Sequence, residues 1–113
     1  MSPSAFDACC RALPGVTMDL LWGADHVYKV GGKMFAVAGP SGTFSFKADD
    51  VAFEMLVETG AARPAPYMAR AKWVFLDDPD ALPDHDLARY LAVAHALVAA
   101  KLTRKARAAL GLG

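Results

Sequence analysis

The sequence predicts a small α+β domain in which an antiparallel β-meander packs against helices, and three observations support this. The chain has 113 residues, which suits a single domain spanning 1–113. Its hydrophobic fraction of 55% is enough to fill one core. Apolar residues at helical spacing flank a block of short strands joined by turn-forming residues. Connections this short require antiparallel neighbours, because a parallel crossover needs about a dozen residues.

The first predicted element is a helix that begins at Ser2 or Ser4, either of which can cap it, and that stops at Pro14-Gly15. Its apolar positions recur at helical spacing, at Phe6, Cys9, Cys10 and Leu13. Neighbouring cysteines rarely reach unstrained disulfide geometry. We therefore expect one or both to pack as small apolar residues of this helix.

Four short strands are predicted next, and the turns between them are readable from glycine and proline. The strands are Thr17–Trp22, Val27–Val30, Lys33–Ala38 and Thr43–Lys47. Gly31-Gly32 has the composition of a two-residue hairpin turn. The residues Gly39-Pro40-Ser41-Gly42 form a loop of turn formers.

The second half of the chain predicts two more helices and one more strand. A helix capped at or just before Asp49 ends at Gly60. We expect 61–68 to be irregular, because proline supplies no ladder donor. The remaining elements are a strand at Lys72–Leu76, a loop at Asp77–Pro83 and a third helix from near Asp84 to Lys101–Thr103, after which 106–113 extends the helix or frays.

Charge is balanced overall but unevenly distributed. The chain has 12 basic and 12 acidic residues, so a strongly basic nucleic-acid binder is not expected from composition. Acids gather at 49–58 and again at 77–86, whereas the segment after residue 100 is basic and contains no acid. Basic residues near the end of the last helix also complement its dipole.

No motif predicts a catalytic centre, a metal site or another cofactor. Asp25-His26 lies in an expected turn and has no nucleophile paired with it by a motif. The aspartates at 77–86 lack the central glycine of a calcium-binding loop. We therefore expect no enzyme activity. No apolar run is long enough to span a bilayer and no signal peptide is apparent, so we expect a cytoplasmic protein without membrane contact. We also expect it to be a monomer.

Two sets of residues are the candidates for binding. The cations are Lys29, Lys33, Lys47, Arg63, Arg70 and Lys72, and the aromatic residues among them are Trp22, Tyr28, Tyr67 and Trp73. Basic side chains interleaved with aromatics can hold phosphates and stack bases. The aromatics could instead line a pocket for a small molecule or a protein. On the residues alone, and given the neutral net charge, an ordinary solvated sheet edge, where lysines block edge-to-edge pairing, is the favoured explanation of the cations.

Several segments together resemble the MmcQ/YjbR-like family. They are Leu13–Val16, Trp22-Gly23, Val27–Ala36, Phe46-Lys47, Pro64–Met68 and Lys72–Val74, although Gly32–Ala36 alone is also similar to the N-terminal domain of TfoX-like regulators. The resemblance implies a CyaY-like fold, also called a double-wing arrangement, a DNA-binding role and no catalytic residue. By position it points to Trp22, Lys29, Lys33, Lys47, Pro66, Tyr67, Lys72 and Trp73. The acidic body of this chain departs from what DNA binding requires.

Overall fold

The computed structural model describes residues 1–112 and contains a six-stranded antiparallel sheet with helices on one face, an α+β fold. The elements in chain order are α1 (Pro3–Arg11), β1 (Val16–Leu21), β2 (Asp25–Val30), β3 (Lys33–Ala38), β4 (Phe44–Lys47), α2 (Asp50–Glu58), β5 (Arg63–Pro64), β6 (Trp73–Leu76), α3 (Asp84–Ala99) and α4 (Arg104–Ala109), with a 3-10 turn at Ala69–Ala71 before β6. None of the helices in 1–112 is both long and apolar enough to cross a membrane.

The strands lie in the order β1-β2-β3-β4-β6-β5, and every neighbouring pair is antiparallel. Tyr28, Ala36, Phe46 and Val74 are register partners in successive strands, and all four side chains are buried toward the helices. The neighbouring row, from Val27 to Phe75, lies on the opposite face because successive residues of a strand alternate between faces. Among residues 1–112, no helix packs on that face, and none of this row belongs to the core cluster that contains the helix residues.

The core lies between the sheet and the helices. The Phe6 ring of α1 stacks on Phe44 with ring centroids 4.1 Å apart and meets Tyr28 edge-on at 5.8 Å. Leu87 and Leu91 of α3 are fully buried in the same cluster. Each such side chain contributes about 1.5–3 kcal/mol relative to leaving it in water, so this cluster fixes α1 and α3 against the strands.

Side-chain caps and one histidine fix the helix positions. Ser2 caps α1 by accepting a hydrogen bond from the Ala5 amide at 3.1 Å, and Asp49 caps α2 by accepting one from Ala52 at 2.7 Å. The His95 Nε2 atom lies 2.7 Å from the Pro14 carbonyl oxygen, and its ring meets Phe35 edge-on. His95 therefore joins α3 to the loop after α1, which makes it a structural residue.

The structure differs from the sequence prediction in two elements. The segment 61–68 is not wholly irregular, since Arg63–Pro64 forms β5. Proline is tolerated there because β5 is the edge strand, and the next amide, that of Ala65, donates to the Trp73 carbonyl at 2.9 Å. The chain has four helices among its described residues and not three, because Thr103 caps a separate α4.

Two smaller corrections concern the β1–β2 connection. Asp25-His26 begins β2 and is not in a turn, and Trp22 lies in the turn and not in β1. Trp22 has a positive φ of 50°, which strand geometry does not allow. By contrast, Gly31 and Gly32 have φ of 58° and 79°, as expected of a glycine hairpin turn.

Candidate nucleic-acid interface

The antiparallel register assigns each loop to one of two ends of the sheet. The β2–β3 turn, the end of β4 and the start of β6 lie at one end, because Val30 pairs with Lys33 and Lys47 pairs with Trp73. Leu102, just beyond α3, lies against Gly31, so α3 also ends here. The β1–β2 turn, the β3–β4 loop, the segment after β6 and the start of α3 lie at the other end.

Arg104, Lys105 and Arg107 of α4 lie near the first end, because Leu102 lies against Gly31 and Leu110 lies against Gly15. Five further cations lie at this end, which we call the basic end. They are Lys33, Lys47, Arg70, Lys72 and Lys101. None of them forms an ion pair with a carboxylate within residues 1–112. Lys33, Arg70 and Lys101 are exposed, and Lys47 and Lys72 are half-buried. Acids at this end are confined to the start of α2, where Asp49 is used as the helix cap.

Lys47 connects the parts of the basic end. Its Nζ atom donates to the Ala71 carbonyl oxygen at 2.6 Å, which ties the end of β4 to the 3-10 turn. Burial lowers the pKa of Lys47, the nearby charge of Lys101 lowers it further, and Asp50 opposes both effects. Lys101 is therefore close enough to Lys47 for the two positive charges to repel each other. A bound anion would reduce this repulsion.

The loop at 65–73 is ordered by its own backbone. The Met68 amide donates to Ala65 at 3.1 Å, and the Trp73 amide donates to Met68 at 3.2 Å. Tyr67 and Lys72 adopt left-handed conformations, with φ of 65° and 63°. Lys72 also reaches back to α2, where its Nζ lies 4.9 Å from the centre of the Phe53 ring. The loop thus holds Arg70 and Lys72 beside Lys47.

The remaining two candidate cations are paired with carboxylates. Lys29 faces the helix-free side of the sheet and forms an ion pair with Asp19 at 3.0 Å. Arg63 donates to Asp77 at 2.8 Å and stacks 4.4 Å from the centre of the Phe75 ring. The structure therefore brings together four of the six predicted cations and adds Lys101. The acid-free segment after residue 100 was the sequence signal for Lys101, but the sequence alone could not place it.

The four candidate aromatics do not share one site. Tyr28 is buried in the core, where its hydroxyl donates to Asp7 at 2.8 Å. Trp73 is 4% exposed, Trp22 is 67% exposed and Tyr67 is fully exposed. Trp22 follows β1 and Tyr67 follows β5, so they lie at opposite edges and opposite ends of the sheet. Five strand spacings of about 4.8 Å separate these edges.

The opposite end of the sheet, which we call the acidic end, carries the aspartates. They are Asp25, Asp77, Asp78, Asp80, Asp84 and Asp86. The Met1 ammonium group lies among them, 2.8 Å from Asp80 and 3.1 Å from Asp84. The hydrogen bond to Asp80 is the main reason why the pKa of this ammonium group is raised. The Met1 ammonium group at the acidic end is therefore neutralised by neighbouring aspartates, unlike the five cations named at the basic end.

Asp25, His26 and Cys10 lie in different surroundings. Asp25 and His26 are consecutive residues of β2, so their side chains point to opposite faces of the sheet. Burial raises the pKa of the Cys10 thiol, which leaves the reactive thiolate unfavoured. Within residues 1–112, no three His, Cys, Asp or Glu side chains are grouped as a metal site. A depression of about 370 Å³ lies at the acidic end, lined by Leu20, His26 and Pro40 among others.

Comparison with known proteins identifies the family. A family model described as YjbR matches residues 11–97, which is most of the chain. The chain belongs to the YjbR family. This confirms the resemblance inferred from the sequence segments. The YjbR match covers β1 to α3 and therefore includes Lys33, Lys47, Arg70 and Lys72, but ends before Lys101.

A solved structure shares the fold. The crystal structure of Deinococcus radiodurans protein DR2400, described with the family-model domain DUF419, superposes with a TM-score of 0.87. It is 23% identical, and the alignment covers 99% of this chain and 89% of that chain. At this identity the likeness shows that the YjbR chain shares the fold of that protein, and nothing more specific. A search of curated proteins finds no match.

Proposed function

We propose that this YjbR-family chain is a non-enzymatic nucleic-acid-binding protein that contacts phosphates through its basic end. The observation that carries the proposal is the group of five cations without carboxylate partners in residues 1–112, all at one end of the sheet. Lysine and arginine bind nucleic acid mainly through backbone phosphates, and this binding does not depend on sequence.

The cations of the basic end and the aspartates of the acidic end lie at opposite ends of the sheet, so a net charge of zero does not argue against nucleic-acid binding at the basic end. A chain with formal net charge zero would not attract a polyanion over its whole surface. At physiological salt, however, charges more than about 8 Å apart are largely screened, so the local field of the basic end governs contact with phosphates. The aspartates of the acidic end lie a strand length away and would face away from the bound nucleic acid.

The geometry favours phosphate contact over binding of a small molecule by the aromatic residues. The four candidate aromatics are dispersed between the core and two opposite corners, so they do not line a common pocket. In contrast, the charge of Lys101 lies close enough to Lys47 to lower the pKa of Lys47, and Lys101 is exposed while Lys47 is half-buried.

A matched pair of triple variants tests the proposal. Replacing the unpaired cations Lys33, Arg70 and Lys72 by glutamine removes three positive charges from the basic end. Replacing the paired cations Arg11, Lys29 and Arg63 by glutamine removes the same charge from side chains that already have carboxylate partners. Both variants are compared with the unaltered chain by fluorescence anisotropy on labelled DNA over a salt series, after circular dichroism has verified folding.

We expect the basic-end variant to lose about tenfold or more in affinity at low salt, and its log–log salt slope to become shallower by up to about 3. The control variant should retain the affinity of the unaltered chain. Equal losses in the two variants would assign binding to overall charge, and no binding by the unaltered chain at low salt would refute the proposed function.

A further inference from the structure

We infer that the basic end is a site for single-stranded nucleic acid, in which Tyr67 stacks on an unpaired base while the surrounding cations hold the phosphates. This inference rests on the proposed function and names its ligand class. It starts from one residue that the fold does not use: Tyr67 exposes 107% of its reference area, so its ring contributes nothing to the core.

The backbone at Tyr67 is held in an unfavourable conformation. Its φ of 65° is in the left-handed region, where a side chain beyond Cβ costs free energy that glycine would avoid. Two hydrogen bonds, from Met68 to Ala65 and from Trp73 to Met68, keep the loop in this shape. The ring is therefore displayed on a loop whose backbone is already ordered, so little backbone freedom is lost on binding.

The neighbours of Tyr67 fit a nucleotide. Arg70 and Lys72 follow on the same loop and have no carboxylate partner in the described chain. Lys47, bonded to Ala71, adds a third cation to the same loop. Cations that hold the backbone beside an aromatic ring that receives a base are the two components of single-strand binding sites.

A duplex is the less suitable ligand for this surface. Bases in a duplex are already stacked on one another, so an exposed ring has no free base face to contact. The major groove is read by a helix or a two-stranded ribbon. The helix formed by the basic C-terminal segment, α4, has 6 residues, and α2 begins with acidic Asp50, so neither suits entry into a groove.

Trp22 provides a matched control within the same chain. It is also an exposed aromatic with a positive φ, but it lies at the acidic end beside Asp25. Stacking alone would make Trp22 as useful as Tyr67. Stacking combined with phosphate contacts requires the cations that only Tyr67 has nearby.

The experiment measures binding of a labelled oligothymidylate, a duplex of the same length and an oligonucleotide of abasic sites, all at low salt. We expect the unaltered chain to prefer the oligothymidylate. Tyr67→Ala should weaken oligothymidylate binding by about tenfold, within the range for loss of one stacked base, and leave duplex binding unchanged. Tyr67→Phe keeps the ring and should retain affinity, and Trp22→Ala should have no effect.

The abasic oligonucleotide isolates the stacking contact. It should bind the unaltered chain as weakly as oligothymidylate binds Tyr67→Ala, and Tyr67→Ala should not weaken it further. If Tyr67→Ala binds oligothymidylate like the unaltered chain, or loses duplex and single-strand binding equally, the inference is refuted although the proposed function stands. If the unaltered chain binds none of the three, the proposed function itself fails.

Discussion

The two ends of the sheet are built from similar parts but differ in how their charges are satisfied. Each has a turn with positive-φ residues, at Trp22-Gly23 and at Gly31-Gly32, and each displays one exposed aromatic in a left-handed conformation. At the acidic end the cations contact aspartates, as Arg63 contacts Asp77. At the basic end the cations have no such partners within residues 1–112.

Charge pairing, and not residue type, separates a structural cation from a candidate binding cation. Arg63 and Lys72 both lie over an aromatic ring, Phe75 and Phe53 respectively. Only Arg63 also bonds a carboxylate, and the hydrogen bond to Asp77 raises the pKa of the guanidinium group. An exposed cation that already has a partner gains less from a phosphate, because the existing contact must be replaced.

The largest predicted effect on the free energy of unfolding is that of a substitution in the β2–β3 turn. A Cβ added at Gly31 would lie 2.6 Å from Leu102, whereas one added at Gly23 in the acidic-end turn meets nothing within 4 Å. Both positions have positive φ, so alanine at either should cost about 1–2 kcal/mol. Gly31→Ala should cost about 1–3 kcal/mol more, because Leu102 must move.

Urea unfolding of the two glycine variants measures this difference. Amide hydrogen exchange should also speed up at 101–112 in Gly31→Ala only, because Leu102 secures that segment to the basic end. Equal unfolding free energies and unchanged exchange in both variants would contradict this account.

A smaller effect is expected at the ion pair and hydrogen bond that lie between α1 and the sheet. Asp7 accepts hydrogen bonds from Arg11 and from the buried Tyr28 hydroxyl. Burial alone would raise the pKa of Asp7, but these two bonds outweigh it and lower the pKa overall. Tyr28→Phe removes one of them and should cost about 1–2 kcal/mol at neutral pH.

The pKa shifts of Asp7 and Tyr28 determine how the stability of the unaltered chain depends on pH. The lowered pKa of Asp7 gives stability that is present above its ordinary value of 3.8 and is lost as pH falls through the folded value. Burial, assisted by Asp7, raises the pKa of Tyr28 above 10, so the unfolded state ionises first and stability falls as pH rises past 10.

In Tyr28→Phe, the free energy of unfolding should therefore depend less on pH, both in the acid range and above pH 10. The exposed Tyr67→Phe at the basic end serves as control and should leave the profile unchanged. A Tyr28→Phe profile parallel to that of the unaltered chain would mean that the Asp7 bond does not contribute.

The smallest predicted effect concerns the pKa of one side chain at the basic end, Lys47. Lys101→Ala removes the positive charge that helps lower the pKa of Lys47, so that pKa should rise toward its ordinary value of 10.5 but not reach it, because burial remains. NMR titration of the lysine side chains measures this shift. Arg104→Ala, a neighbouring exposed cation that does not perturb Lys47, is the control.

Much of this molecule was determined by local sequence. Period-two alternation predicted the central strands, and Gly31-Gly32 predicted the hairpin. Capping residues, Ser2 and Asp49 among them, predicted the helix starts. All of these signals act within a few residues. β5 was missed because its two residues pair with residues of β6 that lie ten and twelve positions further along the chain. α4 was missed because a cap at Thr103 followed by six residues is a weak local pattern.

The candidate site was only partly readable from the sequence, for a physical reason. Composition identified the cations, but whether a lysine or arginine is paired depends on contacts between strands and loops that are far apart in the chain. Lys29 pairs with Asp19 between neighbouring strands, Arg63 pairs with Asp77, and Lys101 of the last helical segment lies close enough to lower the pKa of Lys47. The sequence thus determined which charges exist, and the tertiary structure decided which of them remain available to a ligand.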